Sequence, residues 1–505
     1  MKRILCIWML VCLGPLAAQP QTVDMNNPPE ETVRIVSGVE GEYTGVIVQN
    51  IGDFSGDGVP DFAVALPLED RVYVIFGKRN SPPIFNLSNL GPNGFLITGD
   101  SGSGFGAAVA SPGDMNRDGK ADLAIGAPFE GDGGRVYVVK GNFNFQDFYI
   151  GDPSKSLIIV EGSSGEFLGQ HLGKGGFLND DSSADLVIPS PNYFRILDDQ
   201  SSVSGAAYVI YGQINFPEKV VSTQSLDPEK SLTILNAPQS GGIQFDFASR
   251  FDAIGDFTGG GANDLLLIER IDFENPGVSL LLLPGDSPQT GVHSIHEWPA
   301  ETLLITLRLF DSSAMHQIAS LCARDLTGDD RPELILGFPG AALPGAASTG
   351  GVAAILINPG VQSGEWAISR DDLSALTLLS LTEDNAGLGQ SIACSGGMIF
   401  LGAPNASSPS SGDEKNQGGI FVLHKQDLPF PGILNDIASI ANPMIFGRET
   451  GDIFAGSIVS LGDLNRDQFA DLLVSTSEIG DNQSVAYIIQ AKSVSDTSVA
   501  NFTLY

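Results

Sequence analysis

Basic residues are scarce in this 505-residue chain: 26 lysines and arginines stand against 60 aspartates and glutamates, a formal net charge of −34. Such a surface repels phosphate backbones and anionic lipid, which excludes a nucleic-acid partner. Cysteine is nearly absent, with four residues, and Cys6 and Cys12 fall in the first apolar stretch. A chain this long needs no disulfide framework to hold it together. Charged residues make up only 17%, while Gly 61 and Pro 30 are abundant. That balance excludes an architecture of long amphipathic helices and suits many short strands joined by turns. Long apolar runs are missing beyond the start of the chain. There, Lys2 and Arg3 precede an apolar stretch from Ile4 to Leu13 and then Gly14-Pro15-Leu16-Ala17-Ala18, the pattern of a secretory signal. The stretch is about half the roughly 20 residues a membrane span needs. The expected boundaries are a signal peptide over 1–18, a linker over 19–31 and one domain over 32–505, in a secreted, extracellular or periplasmic protein without a membrane span.

Catalytic signatures are missing as well. His293-Ser294-Ile295-His296-Glu297 holds the one close histidine pair, and it lacks the helical spacing and the base of a zinc hydrolase. No Gly-x-Ser-x-Gly elbow or phosphate-cradling loop occurs in a suitable context. Paired carboxylates are too numerous to single out a glycosidase pair, so no catalytic residue is assigned. A carbohydrate-active hydrolase or lyase, or a non-catalytic subunit of one, stays as the alternative reading.

What the chain does have is internal repetition, which outranks local propensity as a fold signal. The clearest copy runs Gly104-Phe105-Gly106, then Asp114 to Asp122, Leu123-Ala124-Ile125-Gly126-Ala127-Pro128, and Gly134-Arg135-Val136-Tyr137-Val138-Val139. Six more copies overlay it, with loops at Asp53–Asp61, Phe177–Asp185, Asp256–Asp264, Asp325–Glu333 and Asp463–Asp471; the sixth copy keeps Leu388-Gly389 and Gly402-Ala403-Pro404 without an acidic loop. The period stays near 60 to 70 residues and holds about four short apolar runs, the content of one four-stranded blade. The expected fold is an all-β, seven-bladed β-propeller. The last repeat stops after its third strand, whereas Thr32 to Ser37 forms an extra strand-like run near the N-terminus. That run is expected to become the outer strand of the last blade, which closes the ring and removes an open edge. Cys322 and Cys394 occupy equivalent places near the ends of two adjacent inner strands. Both an inter-blade disulfide and two buried thiols stay open, and the separation expected between neighbouring blades favours the thiols.

The motifs Phe105-Gly106 and Gly126-Ala127-Pro128 resemble the FG-GAP repeats of integrin α-chain propellers, over roughly residues 32 to 500. The resemblance implies a propeller whose inner-to-second-strand loops bind calcium on one face, while loops on the opposite face meet protein ligands. The chain departs from those proteins in showing no inserted von Willebrand-type domain, no Ig-like leg, no membrane span and no cytoplasmic tail. A soluble relative is therefore expected, and any partner subunit is unassigned.

The loop chemistry stands independently of the family. Side-chain oxygens at positions 1, 3, 5 and 9 and a carbonyl at 7 surround one Ca²⁺ with hard ligands. The second loop offers Asp114, Asn116, Asp118, the carbonyl of Lys120 and Asp122. The first offers Asp53, Ser55, Asp57, the carbonyl of Val59 and Asp61. The seventh offers Asp463, Asn465, Asp467, the carbonyl of Phe469 and Asp471, and the fifth Asp325, Thr327, Asp329 and Glu333. Position 6 favours glycine because the turn needs a positive φ; Gln468 and Asp330 stand there in the seventh and fifth loops. The expected order of strength is second, first, seventh, fifth, with up to four Ca²⁺. Phe177 and Gly260 break the ligand set in the third and fourth loops, which are expected to be metal-free. An EF-hand is excluded because its bidentate Glu at position 12 is replaced by Val64, Ile125 and Val474. On the opposite face, the long links Ser190–Gly205, Phe338–Gly351 and Asn405–Gly419 are expected to meet an extracellular protein or glycan, with Tyr193, Phe194, Asp413 and Glu414 as contact residues.

Overall fold

The apolar runs of each repeat are too short and too continuous for helices, and they form antiparallel strands. In the computed structural model the described residues run from Thr22 to Thr503; residues 26–31, 37–45, 79–80, 142–145, 153–156, 180, 197–201, 214–219, 237–250, 261, 273–276, 286–289, 295–302, 311–316, 344–349, 359–363, 370–372, 410–415, 430, 442, 448–452, 465–469, 477–483, 491 and 494–501, with both chain ends, lie outside the description. The expected signal segment falls outside it. Seven sheets are arranged as a β-propeller. In blade two the order is Val109–Gly113, Asp122–Ala127, Arg135–Val139 and Leu157–Glu161, each antiparallel to the next. The inner strands of the seven blades surround a channel of about 690 Å³. Among the described residues no helix is long and apolar enough to cross a membrane.

Packing explains why the second strands read as unbroken apolar runs. Phe62 and Val64 of blade one face the blade-seven side and belong to one cluster with Ile35 and Leu473, while Ala63 and Ala65 face blade two and belong to another with Leu123 and Ile125. Each blade is thus sandwiched, and the core consists of seven clusters, one per blade-to-blade interface. Burying each valine, leucine, isoleucine or phenylalanine among these side chains contributes about 1.5–3 kcal/mol. Close approach also explains the glycine of the Gly-Ala-Pro motif: a β-carbon at Gly126 would lie 1.9 Å from the Gly169 carbonyl oxygen of the next blade.

Three features go beyond the sequence expectation. First, each blade has a fifth, outermost strand, parallel to the fourth and donated by the next blade from between that blade's third and fourth strands. Val220–Ser222 of blade three, for example, completes blade two. Second, closure uses two N-terminal strands. Val33–Val36 pairs with Ser484–Ile489 as blade seven's fourth strand, as expected, but it is not outermost, because Ile84–Asn86 of blade one adds beyond it. Thr22–Asp24, within the stretch expected to be a linker, pairs in parallel with Met444–Phe446 and completes blade six. It occupies the place that the donation rule assigns to blade seven's segment. Third, Cys322 and Cys394 are joined as a disulfide across blades five and six, with Cα atoms 6.3 Å apart, so the expectation of two thiols is overturned. The physical reason is that inner strands lie near the ring axis, where neighbouring blades come closest.

Blade six lacks the acidic loop, and the structure shows what replaces it. Ser391–Ser395 and Met398–Ala403 join through Gly396 and Gly397, both at positive φ (58° and 88°), a two-residue hairpin turn.

Met25 follows the first strand and is 1% exposed, packed among Ile445, Phe454 and Tyr487. Met25→Ala is expected to lower unfolding free energy by about 2 kcal/mol in denaturant titration; an unstructured linker there would leave it unchanged.

Candidate functional site

The acidic loops join the inner to the second strand, so they line one face of the ring. Their turns are held by the very side chains expected as ligands. In loop two, Asp114 accepts from the amides of Asp118 (3.1 Å) and Gly119 (2.8 Å), Asn116 Oδ1 accepts from Asp118 (2.9 Å), and Asp118 accepts from Lys120 (3.0 Å). In loop one, Asp53 accepts from Gly56, Asp57 and Gly58 at 2.7 to 2.9 Å, and Asp57 accepts from Val59 at 2.9 Å. Loop five repeats the pattern: Asp325 accepts from Gly328 (2.6 Å) and Asp330 (3.2 Å), and Asp329 from Arg331 (3.0 Å). The Gly328 amide holds the Asp325 carboxyl below the usual carboxylate range.

The backbone at position 6 has positive φ, as expected: Gly58 at 81°, Gly119 at 86° and Asp330 at 66°. Position 4 shares this need, which the sequence reading missed. Gly56, Gly259 and Gly328 serve it, and loop two places Arg117 there at φ 60°, a conformation costing a non-glycine residue about 1–2 kcal/mol.

Position 9 has a role that the ligand pattern alone does not convey. Asp122 is 1% exposed and accepts from Met115 (2.9 Å) in its own loop and from Gly141 (3.0 Å) just past the third strand. Asp61 does the same with Ser55 and Gly77, Asp185 with Leu178 and Gly212, and Asp264 with Thr258 and Gly285. Glu333 accepts from Leu326 and Asp471 from Leu464. The residue is therefore a clamp from loop to sheet in the first four acidic loops, including the third and fourth, and it ties the turn in the fifth and seventh. Burial pushes Asp61, Asp122 and Asp185 up to about 7 and Asp264 up to about 6, against the opposing pull of the amides they accept from. Burial raises Glu333 too.

These residues fit a calcium ion. The turns are formed, the donors are hard oxygens, and each carboxylate oxygen that accepts one amide retains a further lone pair. Ser55 Oγ, a ligand position, lies buried beside Asp61 without a hydrogen bond of good geometry. Among the described residues, however, no three acidic, histidine or cysteine side chains converge closely enough to define a metal centre by themselves. Asn465, Asp467 and Phe469 of loop seven lie outside the described residues. His293 is tied to the Thr290 carbonyl, and His296 lies outside the described residues.

The second strands carry the chain to the opposite face. Asp185–Ile196 and Ser202–Ile210 form a long hairpin there, with Phe194 50% exposed and Tyr193 packed against the interface of blades two and three. Tyr193, Phe194, Arg195, Tyr208, Thr223 and Gln224 border a cavity of about 460 Å³. Behind it the buried Glu166 accepts from Ser190 (2.7 Å), Tyr208 (2.7 Å) and Thr223 (3.1 Å). Asp413 and Glu414 lie outside the described residues. The sequence reading missed Phe129 and Phe167, which are 62% and 43% exposed and meet edge to face on the same side of the ring. Phe129 directly follows the Gly-Ala-Pro motif, a position that would have marked it.

A seven-bladed ring with positive-φ Gly106 after the buried Phe105, and with such loops on one face, is a propeller of FG-GAP type. The FG-GAP repeat model matches residues 105–139, within blade two. Three curated relatives are integrin alpha-PS5 of Drosophila melanogaster, 29% identical over 163 residues, integrin alpha-7 of Homo sapiens, 33% over 122, and integrin alpha-E of Mus musculus, 32% over 177. The matches cover 30%, 23% and 31% of this chain, and 15%, 9% and 14% of those proteins. Blade two of this propeller thus carries an FG-GAP repeat, and the chain is similar over part of its length to integrin α chains.

The raised position-nine carboxylates have a pH signature. A folded-state pKa above the unfolded one means that the folded state holds protons the unfolded state has released. The contribution of Asp185 to metal-free stability is therefore fully present below the ordinary value of 3.8 and is lost as pH rises through about 7. In EDTA, Asp185→Asn is expected to flatten this fall in melting temperature between about pH 4 and 7. An unchanged slope would contradict the assignment.

Proposed function

We propose that this chain is a secreted, calcium-stabilised binding module that recognises an extracellular protein or glycan through the face opposite its acidic loops. The observation carrying the reading is the set of exposed aromatics on that face, Phe129, Phe167 and Phe194, of which Phe194 borders the 460 Å³ cavity. Exposed aromatic side chains beside a cavity are a recognised mark of a binding surface. The scarcity of basic residues steers the surface away from nucleic acid and anionic membranes. Secretion is proposed from the N-terminal segment, and adhesion from the likeness to integrin α chains.

Calcium would be held by the first, second, fifth and seventh loops. Its chemistry there is electrostatic: a divalent cation relieves the repulsion among carboxylates that the turns gather on one face. Extracellular modules of this kind bind at about 10⁻⁴ to 10⁻³ M. Asp118 is exposed, so Asp118→Asn is expected to leave the melting temperature in EDTA almost unchanged while removing one of four ions in titration calorimetry. Identical melting of the parent with calcium and with EDTA would sink the calcium reading.

The binding face is tested by capture from extracellular material. Phe194→Ala, a change at a half-exposed side chain, is expected to cut retention at least about fivefold, equal to about 1 kcal/mol. Release of sugars from the captured material would instead favour the carbohydrate-active reading.

A further inference from the structure

Loops three and four lack a complete ligand set, and each is met by an arginine from a neighbouring loop that has one. Arg117 extends from loop two to loop three, where its Nε donates to Ser183 Oγ at 2.7 Å and a terminal nitrogen lies 3.2 Å from Asp181 Oδ1. Asp181 and Ser183 are the fifth and seventh positions of loop three. Arg331, the seventh position of loop five, lays its guanidinium against Gly259, the fourth position of loop four. Its nearest atoms stand 3.3 to 3.9 Å from where a β-carbon on Gly259 would be.

An independent observation is the backbone of Arg117. It holds φ 60° at a position where loops one, four and five use glycine. Retaining a strained arginine in a chain so poor in basic residues calls for work done by the side chain.

We propose that Arg117 is the fixed cation of blade three, and so sets loop three apart from the loops of the ring that take calcium. The inference rests on the proposed calcium loops but adds a residue outside their ligand sets. A guanidinium is permanently charged and donates in a planar fork. In loop three it bridges the turn's oxygens, the task a divalent ion performs in loop two, without depending on metal in solution. It also links neighbours: the turn that holds the ion in blade two is the turn that presents Arg117 to blade three. Calcium in blade two thereby steadies a blade that binds none.

Arg117→Gly gives the test, because glycine is favoured at that φ. If the guanidinium did nothing, the variant would melt at or above the parent temperature. As the fixed cation of blade three, its loss is expected to lower melting despite the relieved backbone strain, in EDTA as well as in calcium. The difference is expected to shrink in about 1 M salt, which screens a part-exposed ion pair. Hydrogen exchange is expected to speed up at the amides of Leu178 and Ser183, with no change in blade six. A variant as stable as the parent in EDTA, or one whose loss ignores salt, overturns the proposal. A parent whose melting ignores calcium overturns the calcium reading while leaving the Arg117 result standing.

Discussion

A blade of this ring has two apolar faces and no core of its own. Phe62 and Val64 point to one neighbour while Ala63 and Ala65 point to the other, so every stabilising cluster belongs to a pair of blades. Leaving a single interface open would expose two complete apolar faces to water. Closure is therefore a condition for the fold, and it explains why the N-terminal segment is spent on the last two blades. Val33 and Ile35 enter the interface of blades seven and one, and Met25 enters that of blades six and seven. The donated fifth strands act in the same direction, since each ties a blade's outer edge to its successor. The disulfide between Cys322 and Cys394 adds a covalent tie where inner strands approach the axis.

The acidic loops meet the opposite problem, polar groups gathered where the sheets end. Their solution separates two tasks that one sequence pattern blends. The position-nine carboxylate is buried and, in the first four loops, clamps the loop to the sheet. The carboxylates at positions one and five shape exposed turns and leave lone pairs for a cation. Loops three and four keep the clamp after losing parts of the ligand set, which is why Asp185 and Asp264 persist there. Blade six drops both and turns through two glycines.

Much of this was legible in the sequence, because period and apolar content are regular. The seven repeats, the second strands and the closing strand near Val33 follow from them. The fifth strands were not legible: Ile84–Asn86 is three residues long and pairs with a blade at the other end of the chain. Thr22–Asp24 was read as linker for the same reason, since three residues carry no periodicity. The disulfide depended on a distance near the ring axis, which aligned repeats do not supply. In the candidate site, the residue types at positions 1, 3, 5, 7 and 9 were readable, but burial was not, so the clamping role of the position-nine carboxylate went unread. Nothing in the sequence pattern marked Arg117, whose side chain reaches the next loop.

We propose that cations of two kinds, calcium and the fixed guanidinium of Arg117, settle the acidic loops of the closed ring. Anomalous diffraction from crystals grown in millimolar calcium tests it most directly. The expected map has calcium peaks in loops one, two, five and seven, each with oxygen ligands at about 2.3–2.6 Å, and none in loops three and four. Absence of a peak in loop two, or a peak in loop three in place of the Arg117 guanidinium, would contradict it.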